Sequence, residues 1–324
     1  MNADQSRIAL LQRVALFCAV LVITVVSISA FIRLSGAGLG CTPWPQCYGQ
    51  SFRDQQDGLG QTTHLQLSKS IVVARFAHRL FAVLLLPLVL ILVIGGFTMR
   101  PKPWEERWLA LLAFTLVLFL AVLGVWTAGA RVPAVTLGNL LGGFLLFALC
   151  WRMAGVGFDR AADVLSSPST LVWKRVSVVV VLVQIVLGGL VSSGYAGLSC
   201  PDFSNCIAFG SGHWDALNPM REPRFDTGAV YINSAGTLVH GLHRWVSVAT
   251  GLVVIALAIT LLRAGQRRMG LALLVLIVSQ FILGVLLVLN GLPLVIAVAH
   301  NAIAAMLLAA LFATPTCRST SGER

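Results

Sequence analysis

Charge is scarce in this chain. Only 11% of its 324 residues are charged, too few to coat a soluble domain of that size with polar side chains. Histidine is also rare, with six in all, so any metal or iron centre must be drawn from a short set. Neither loop cysteine pair has Cys-x2-Cys spacing or a nearby histidine cluster, which weighs against a tightly spaced zinc site. No glycine-rich loop follows a strand pattern, which argues against a soluble nucleotide cofactor. No stretch reads as a cleaved signal peptide, because the first apolar run is long enough to span a membrane and shows no clear cleavage site.

What the chain does have is apolar length. It is 57% hydrophobic, with a mean hydropathy of +0.88, which reads as an all-α, multi-pass membrane protein. Eight apolar runs of spanning length fall near residues 14–32, 71–97, 108–128, 134–151, 176–193, 236–262, 269–289 and 293–314. An even number of spans puts both termini on one side. Of the 23 Lys and Arg residues, 14 fall on the terminal side, six on the opposite side, and Arg75, Arg79 and Arg244 inside spans. The excess of positive charge predicts that both termini are cytoplasmic, and the membrane expected is a cell inner membrane. The net charge of +11 then reflects topology and attraction to anionic lipid. Its basic residues are spread too thinly over short loops for nucleic-acid binding.

The chain is also duplicated. Ala37-Gly38-Leu39-Gly40-Cys41 and Ala196-Gly197-Leu198-Ser199-Cys200 are near copies, and each is followed after five residues by a second cysteine, Cys47 and Cys206. Downstream of each copy lies a His-Arg pair, His78-Arg79 and His243-Arg244. Spans one to four therefore repeat as five to eight, which predicts two pseudo-symmetric four-helix bundles. Both halves enter and leave on the same sides, so the axis should run along the membrane normal. The boundaries are residues 1–151 for the first bundle, 152–175 for a cytoplasmic linker and 176–324 for the second. Both long loops fall on the outer side, an oxidising compartment in a Gram-negative host. A disulfide across each, Cys41 to Cys47 and Cys200 to Cys206, is the preferred reading, with a metal site or free thiols as the rivals. Cys18, Cys150 and Cys317 lie in or beside spans and read as small apolar side chains.

His78, His243 and His300 each lie about seven or eight residues inside their spans, near one plane roughly 10 Å below the outer surface at about 1.5 Å per residue. Ionisable groups inside a bilayer are costly and usually face a bundle interior or a site. His243 and His300 fall on the second and fourth spans of one bundle, an arrangement that suits two axial ligands on one haem iron. The bland alternative for a lone membrane histidine is a helix-to-helix hydrogen bond. Arg79 and Arg244 suit haem propionates and equally suit snorkelling to the interface. His240 shares a face with His243 and reads either as a pocket residue or as exposed at the helix start. His64 and His213, in outer loops, read as solvated.

The run Arg33-Leu34-Ser35-Gly36-Ala37-Gly38-Leu39-Gly40-Cys41-Thr42-Pro43-Trp44-Pro45-Gln46-Cys47-Tyr48, then His78-Arg79, then Leu123-Gly124-Val125-Trp126-Thr127, resembles the haem A synthase family. Segments 139–144, 196–206, 243–244 and 300 extend that resemblance over the whole chain. It implies a membrane enzyme that oxidises a ring methyl of haem O to the formyl of haem A for cytochrome oxidase assembly. It further implies a haem O synthase as supplier, an electron donor, and a resident haem b held by His243 and His300. His78 matches the first iron ligand of the half that takes the substrate haem. A homo-oligomer is compatible with the sequence.

The rest of that half departs from the family. Arg75 stands where the family has a glutamate three residues before the histidine, and Asn139 stands where a second histidine is expected. A carboxylate is thereby replaced by a permanent cation, and Asn is at best a weak neutral ligand to iron. Arg75 suits a propionate instead. The resemblance therefore favours an active haem A synthase, while residue chemistry favours a non-catalytic haem-binding assembly or electron-transfer protein. A transporter built on parallel repeats is the third reading, but no paired Gly- or Pro-broken spans suggest a midplane site.

Overall fold

The computed structural model describes residues 3–39, 45–50, 69–98, 106–126, 132–155, 168–200, 213–224 and 233–314. Eight long helices account for most of them: α1 Ala3–Gly36, α2 Lys69–Thr98, α3 Arg107–Trp126, α4 Pro133–Ala154, α5 Pro168–Ser193, α6 Gly236–Arg263, α7 Arg267–Leu289 and α8 Leu294–Ala313. Each is long and apolar enough to cross a membrane, so the chain is an all-α, multi-pass membrane protein. Each of the eight apolar runs lies largely or wholly on one of these helices. The hydrocarbon core offers no water to backbone N–H and C=O groups, so a spanning segment must satisfy them within itself.

Helix ends follow local chemistry more than hydropathy. Pro133 occupies the first turn of α4, where its missing N–H costs nothing, and Gly155 ends the helix in the left-handed region, its N–H bonded to the Arg152 carbonyl. α5 begins at Pro168 and thus carries Lys174 and Arg175, which the sequence places in the linker. The linker's first three residues are likewise helical, on α4. Residues 156–167, at its centre, lie outside the described residues, as do Cys41, Cys206, Cys317 and His64. Cys18 and Cys150 are buried free thiols.

In the first half α1 packs on α2 and α4, and α3 on α2 and α4; in the second, α6 packs on α5 and α7, and α8 on α7 and α5. The halves meet through α4 on α8, α1 on α8, and α4 on α5. The main core lies on the side of the chain ends. It takes Leu11, Cys18 and Val22 from α1, Leu85, Val89 and Leu92 from α2, Phe144 and Met153 from α4, Leu257 and Leu261 from α6, Leu273 from α7, and Leu308 and Leu311 from α8. Toward the opposite side the packing in the second half opens into a cavity.

The terminal end of α8 is tied by two cations. Arg152 Nη1 donates to the Phe312 carbonyl at 3.2 Å, and Lys174, with 8% of its surface exposed, donates its Nζ proton to the Thr314 carbonyl. Positive charge at a helix C-terminus is favourable, because the last carbonyls there lack intrahelical partners. Replacing Lys174 with alanine should destabilise the protein by about 1–3 kcal/mol, the cost of a buried acceptor left unpaired plus a lost charged hydrogen bond. Thermal unfolding in detergent should show the lower midpoint, with Lys174→Arg nearer to wild type.

Candidate functional site

A cavity of about 490 Å³ lies among α5, α6, α7 and α8, with α1 and α4 closing one side. Its walls are mostly apolar, as in Leu140, Phe144, Ile185, Phe281 and Leu307. Into this wall the four helices of the second half bring a small polar set: Gln184 and Ser192 from α5, His240, His243, Arg244, Ser247 and Thr250 from α6, Gln280 from α7, and His300 and Asn301 from α8. Few, placed polar groups in an apolar pocket are the usual mark of a ligand site.

His243 lies two turns into α6. The amide Nε2 of Gln184 stands 3.0 Å from its Nδ1 and donates to its main-chain carbonyl, also at 3.0 Å. Gln184 thereby fixes the imidazole against α5 and leaves Nε2 as the ring's remaining nitrogen. His300 opens onto the same cavity from α8. Its Nδ1 is buried without a hydrogen bond, as are Gln184 Oε1, Gln280 Oε1, His240 Nδ1 and Asn301 Nδ2. Buried polar atoms are paired in the great majority of cases, so this cluster of orphans at one cavity points to a polar or metal-bearing ligand.

Glycines clear the space at both histidines. A Cβ on Gly188 of α5 would stand 2.9 Å from His243 Cε1, and one on Gly284 of α7 would stand 3.6 Å from His300 Cε1. The first is closer than real Cβ contacts, so a side chain at residue 188 would displace the ring. Imidazoles backed by glycine on neighbouring helices leave a cradle beside both rings that would fit a flat ligand.

Toward the side opposite the chain ends the cavity is bounded by Arg33, Leu34, Leu39 and Tyr48 of the first half and by Arg244, Gly197 and Leu292 of the second. Leu39 and Tyr48 belong to one packed cluster with Tyr195, Leu198 and Leu292, and the two tyrosine rings meet edge to face at 5.7 Å between centroids. The duplicated loop motifs thus cover the cavity together. Burial holds the Tyr48 phenol above its ordinary pKa. It does the same to Tyr195, with the Arg33 charge opposing it. Both phenols stay neutral at physiological pH. Arg244 Nη2 donates to the Cys200 carbonyl at 2.8 Å. Among the described residues no aspartate or glutamate lines the cavity, whereas two guanidinium groups do.

The structure gathers His243, His300, Arg244 and His240 at one cavity, and His240 is buried there. It does not bring Arg75, His78 or Arg79 to them. Those three lie on the first half of α2, away from the side of the chain ends, with Arg75 and Arg79 exposed and His78 half-buried. The buried residues of α2, Leu85, Val89, Leu92 and Gly96, all lie beyond them toward the terminal side. Asn139 is half-buried, and its Nδ2 bonds back to the Val135 carbonyl of its own helix at 3.0 Å.

Sequence reasoning missed Gln184, Gln280, Gly188, Gly284 and Arg33's place in the site. The repeat itself carried a signal: Leu283-Gly284-Val285 copies Leu123-Gly124-Val125, and the loop register sets Gln184 against Val25 and Gly188 against Ser29. Gln184 and Gly188, each present in the second copy only, are the candidates that this comparison singles out for a site in that copy, whereas Gly284 is shared by both copies.

The model of the cytochrome oxidase assembly protein family COX15-CtaA matches residues 12–312. The haem A synthase of Shewanella oneidensis is 33% identical over 312 residues, covering 90% of this chain and 92% of its own length. Those of Sphingopyxis alaskensis and Rhizorhabdus wittichii are each 26% identical, covering 90% and 91% of this chain and 87% and 90% of their own lengths. On the full-length match and the whole-chain similarity to haem A synthases, this chain belongs to the COX15-CtaA family of cytochrome oxidase assembly proteins.

Proposed function

We propose that this protein holds a resident haem b in the second-half cavity through His243 and His300, and that with it the protein oxidises a haem O ring methyl to the formyl of haem A. The single observation that carries the reading is the cavity itself, with two glycine-backed imidazoles and unpaired polar atoms in an apolar wall. Haem b would supply one-electron redox chemistry at that place. The chain's own residues do the rest. His243 and His300 present imidazole nitrogens, Gln184 orients His243, and the loop cluster of Tyr48, Tyr195 and Leu292 limits water from the outer side. Arg244 supplies positive charge suited to a propionate.

Turning a methyl into a formyl with water as the oxygen source breaks two of the methyl's three C–H bonds, forms a C=O, and releases four protons and four electrons, so an external acceptor must take those electrons. A neighbouring haem and an electron-transfer partner are consistent with that need. The substrate haem is assigned by family resemblance to the first half, where His78 would be its iron ligand and Arg75 and Arg79 suit its propionates. In this reading the two halves are pseudo-symmetric bundles, and the helix contacts support it, because α1 on α8 has its counterpart in α5 on α4. The protein lies in the inner membrane with cytoplasmic termini, receives haem O from a haem O synthase, and carries disulfides Cys41–Cys47 and Cys200–Cys206 in its outer loops.

A second reading is a haem-binding assembly or electron-transfer protein without catalysis. It is favoured by Asn139, whose amide is bonded to its own helix, and by Arg75 in place of a carboxylate. Purifying the protein from a host that makes haem O, then extracting and identifying its haems, separates the two. Haem A together with haem b is the expected result. Haem b alone supports the second reading, and no haem overturns both.

A further inference from the structure

Arg33 ends the first half's α1, yet its guanidinium lines the second half's cavity. Its Nη1 donates to Ser192 Oγ on α5, and it forms no ion pair with a carboxylate among the described residues. Taking a charge out of water without an opposite charge is costly, so a half-buried cation facing an apolar cavity calls for an anionic partner. No aspartate or glutamate lines this cavity among the described residues, which leaves the ligand as the source of negative charge. The register of the duplicated loops pairs Arg33 with Ser192 itself, so two residues equivalent by repeat touch each other. The second copy therefore has no cation of its own at this position, and the first copy lends one.

We propose that Arg33 binds a carboxylate of the ligand held in the second-half cavity, an anchor supplied across the boundary between the halves. The proposal rests on the haem reading above, in which the anionic groups are the two propionates of the macrocycle. A planar guanidinium presents paired N–H donors that match a carboxylate. Its place at the outer end, beyond the level of His243 and His300, orients the propionate edge outward. Arg33 is a binding residue that makes occupancy of the second half depend on the position of α1.

The test uses two probes, iron protoporphyrin IX and its dimethyl ester, whose propionates are neutral. Each is titrated into the full-length apoprotein in detergent while the bis-histidine low-spin spectrum is recorded. Wild type should bind the free acid more tightly than the ester. Arg33→Gln should keep the low-spin spectrum and lose on the order of tenfold of that preference, the scale of a charge-assisted hydrogen bond. An Arg33→Gln protein that discriminates as wild type does, or a wild type that binds both probes equally, overturns the anchor while leaving the haem site intact. A wild type that gives no low-spin spectrum with either probe overturns the haem reading itself. Where Arg33→Gln fails to fold, Arg33→Lys carries the test. With isotope-labelled propionate carbons, its carboxylate stretching bands should shift from those of wild type, and unshifted bands overturn the proposal.

Discussion

Replacing His300 by alanine should leave the purified protein without a low-spin haem spectrum, and His243→Ala should do the same. On the haem reading each removes one ligand nitrogen, and among the described residues no other buried imidazole stands at the same register, since His240 lies one turn away on the helix of His243. Even outer ligands of a metal site cost tenfold to a hundredfold in affinity when mutated, so a direct ligand should cost more than about a hundredfold. The same measurement on His78→Ala should show the haem b spectrum unchanged, because His78 stands on α2, away from the cavity. Circular dichroism should show all three variants still helical. A His300→Ala protein that keeps its low-spin spectrum would show that α8 does not ligate the iron.

Placing a valine at Gly188 should be nearly as damaging to haem binding, although the residue touches no iron. Even its first side-chain atom would stand 2.9 Å from His243 Cε1, so the ring must move off the line that Gln184 sets. Overpacking of this kind costs about 1–3 kcal/mol in well-packed interiors. Here much of it falls on the ligand geometry, so haem affinity should drop on the order of tenfold to a hundredfold. Gly284→Ala is graded against it. That Cβ stands 3.6 Å from His300 Cε1, an ordinary contact, and its effect should be small. Gly124→Ala, at the copied position in the first half, meets nothing within 4 Å and should leave haem binding unchanged. Equal effects at Gly188 and Gly124 would mean that the glycine is not part of a cradle.

Arg33 illustrates where linear reading failed. It falls just past the apolar run of α1, and a basic residue there looks like an outer-loop charge. The helix continues to Gly36, because a charged residue does not stop a helix whose backbone is already nucleated. Its side chain then turns toward the second half. A similar extension carried Lys174 into α5 and onto the end of α8. In both cases hydropathy marked where the chain becomes apolar, while backbone hydrogen bonding decided where the helix begins or ends.

His240 shows the converse. Spacing put it one turn from His243, and that left two faces open to it. Packing of α6 against α5 and the turn at Ala196–Leu198 decided for the cavity, and His240 is buried there. For His78 the same kind of spacing gave matched depth with His243, but matched depth is not matched environment. α2 has its buried stripe only on the terminal side of residue 84, so the first half of α2 leaves Arg75 and Arg79 exposed.

The sequence by itself determined that this chain is a helical membrane protein with eight spans, because hydrocarbon thickness and backbone satisfaction leave an apolar chain no other spanning form than a helix of about that length. It also determined the duplication, the depth of the histidines, and the substitutions Arg75 and Asn139. Only the tertiary structure decided which of those residues share a cavity. Depth along a span is set by residue number, but the direction of a side chain around its helix is set by what the helix packs against. That second quantity brought Gln184, Gly188, Gly284 and Arg33 to the cavity of His243 and His300, and left His78 on α2, away from it.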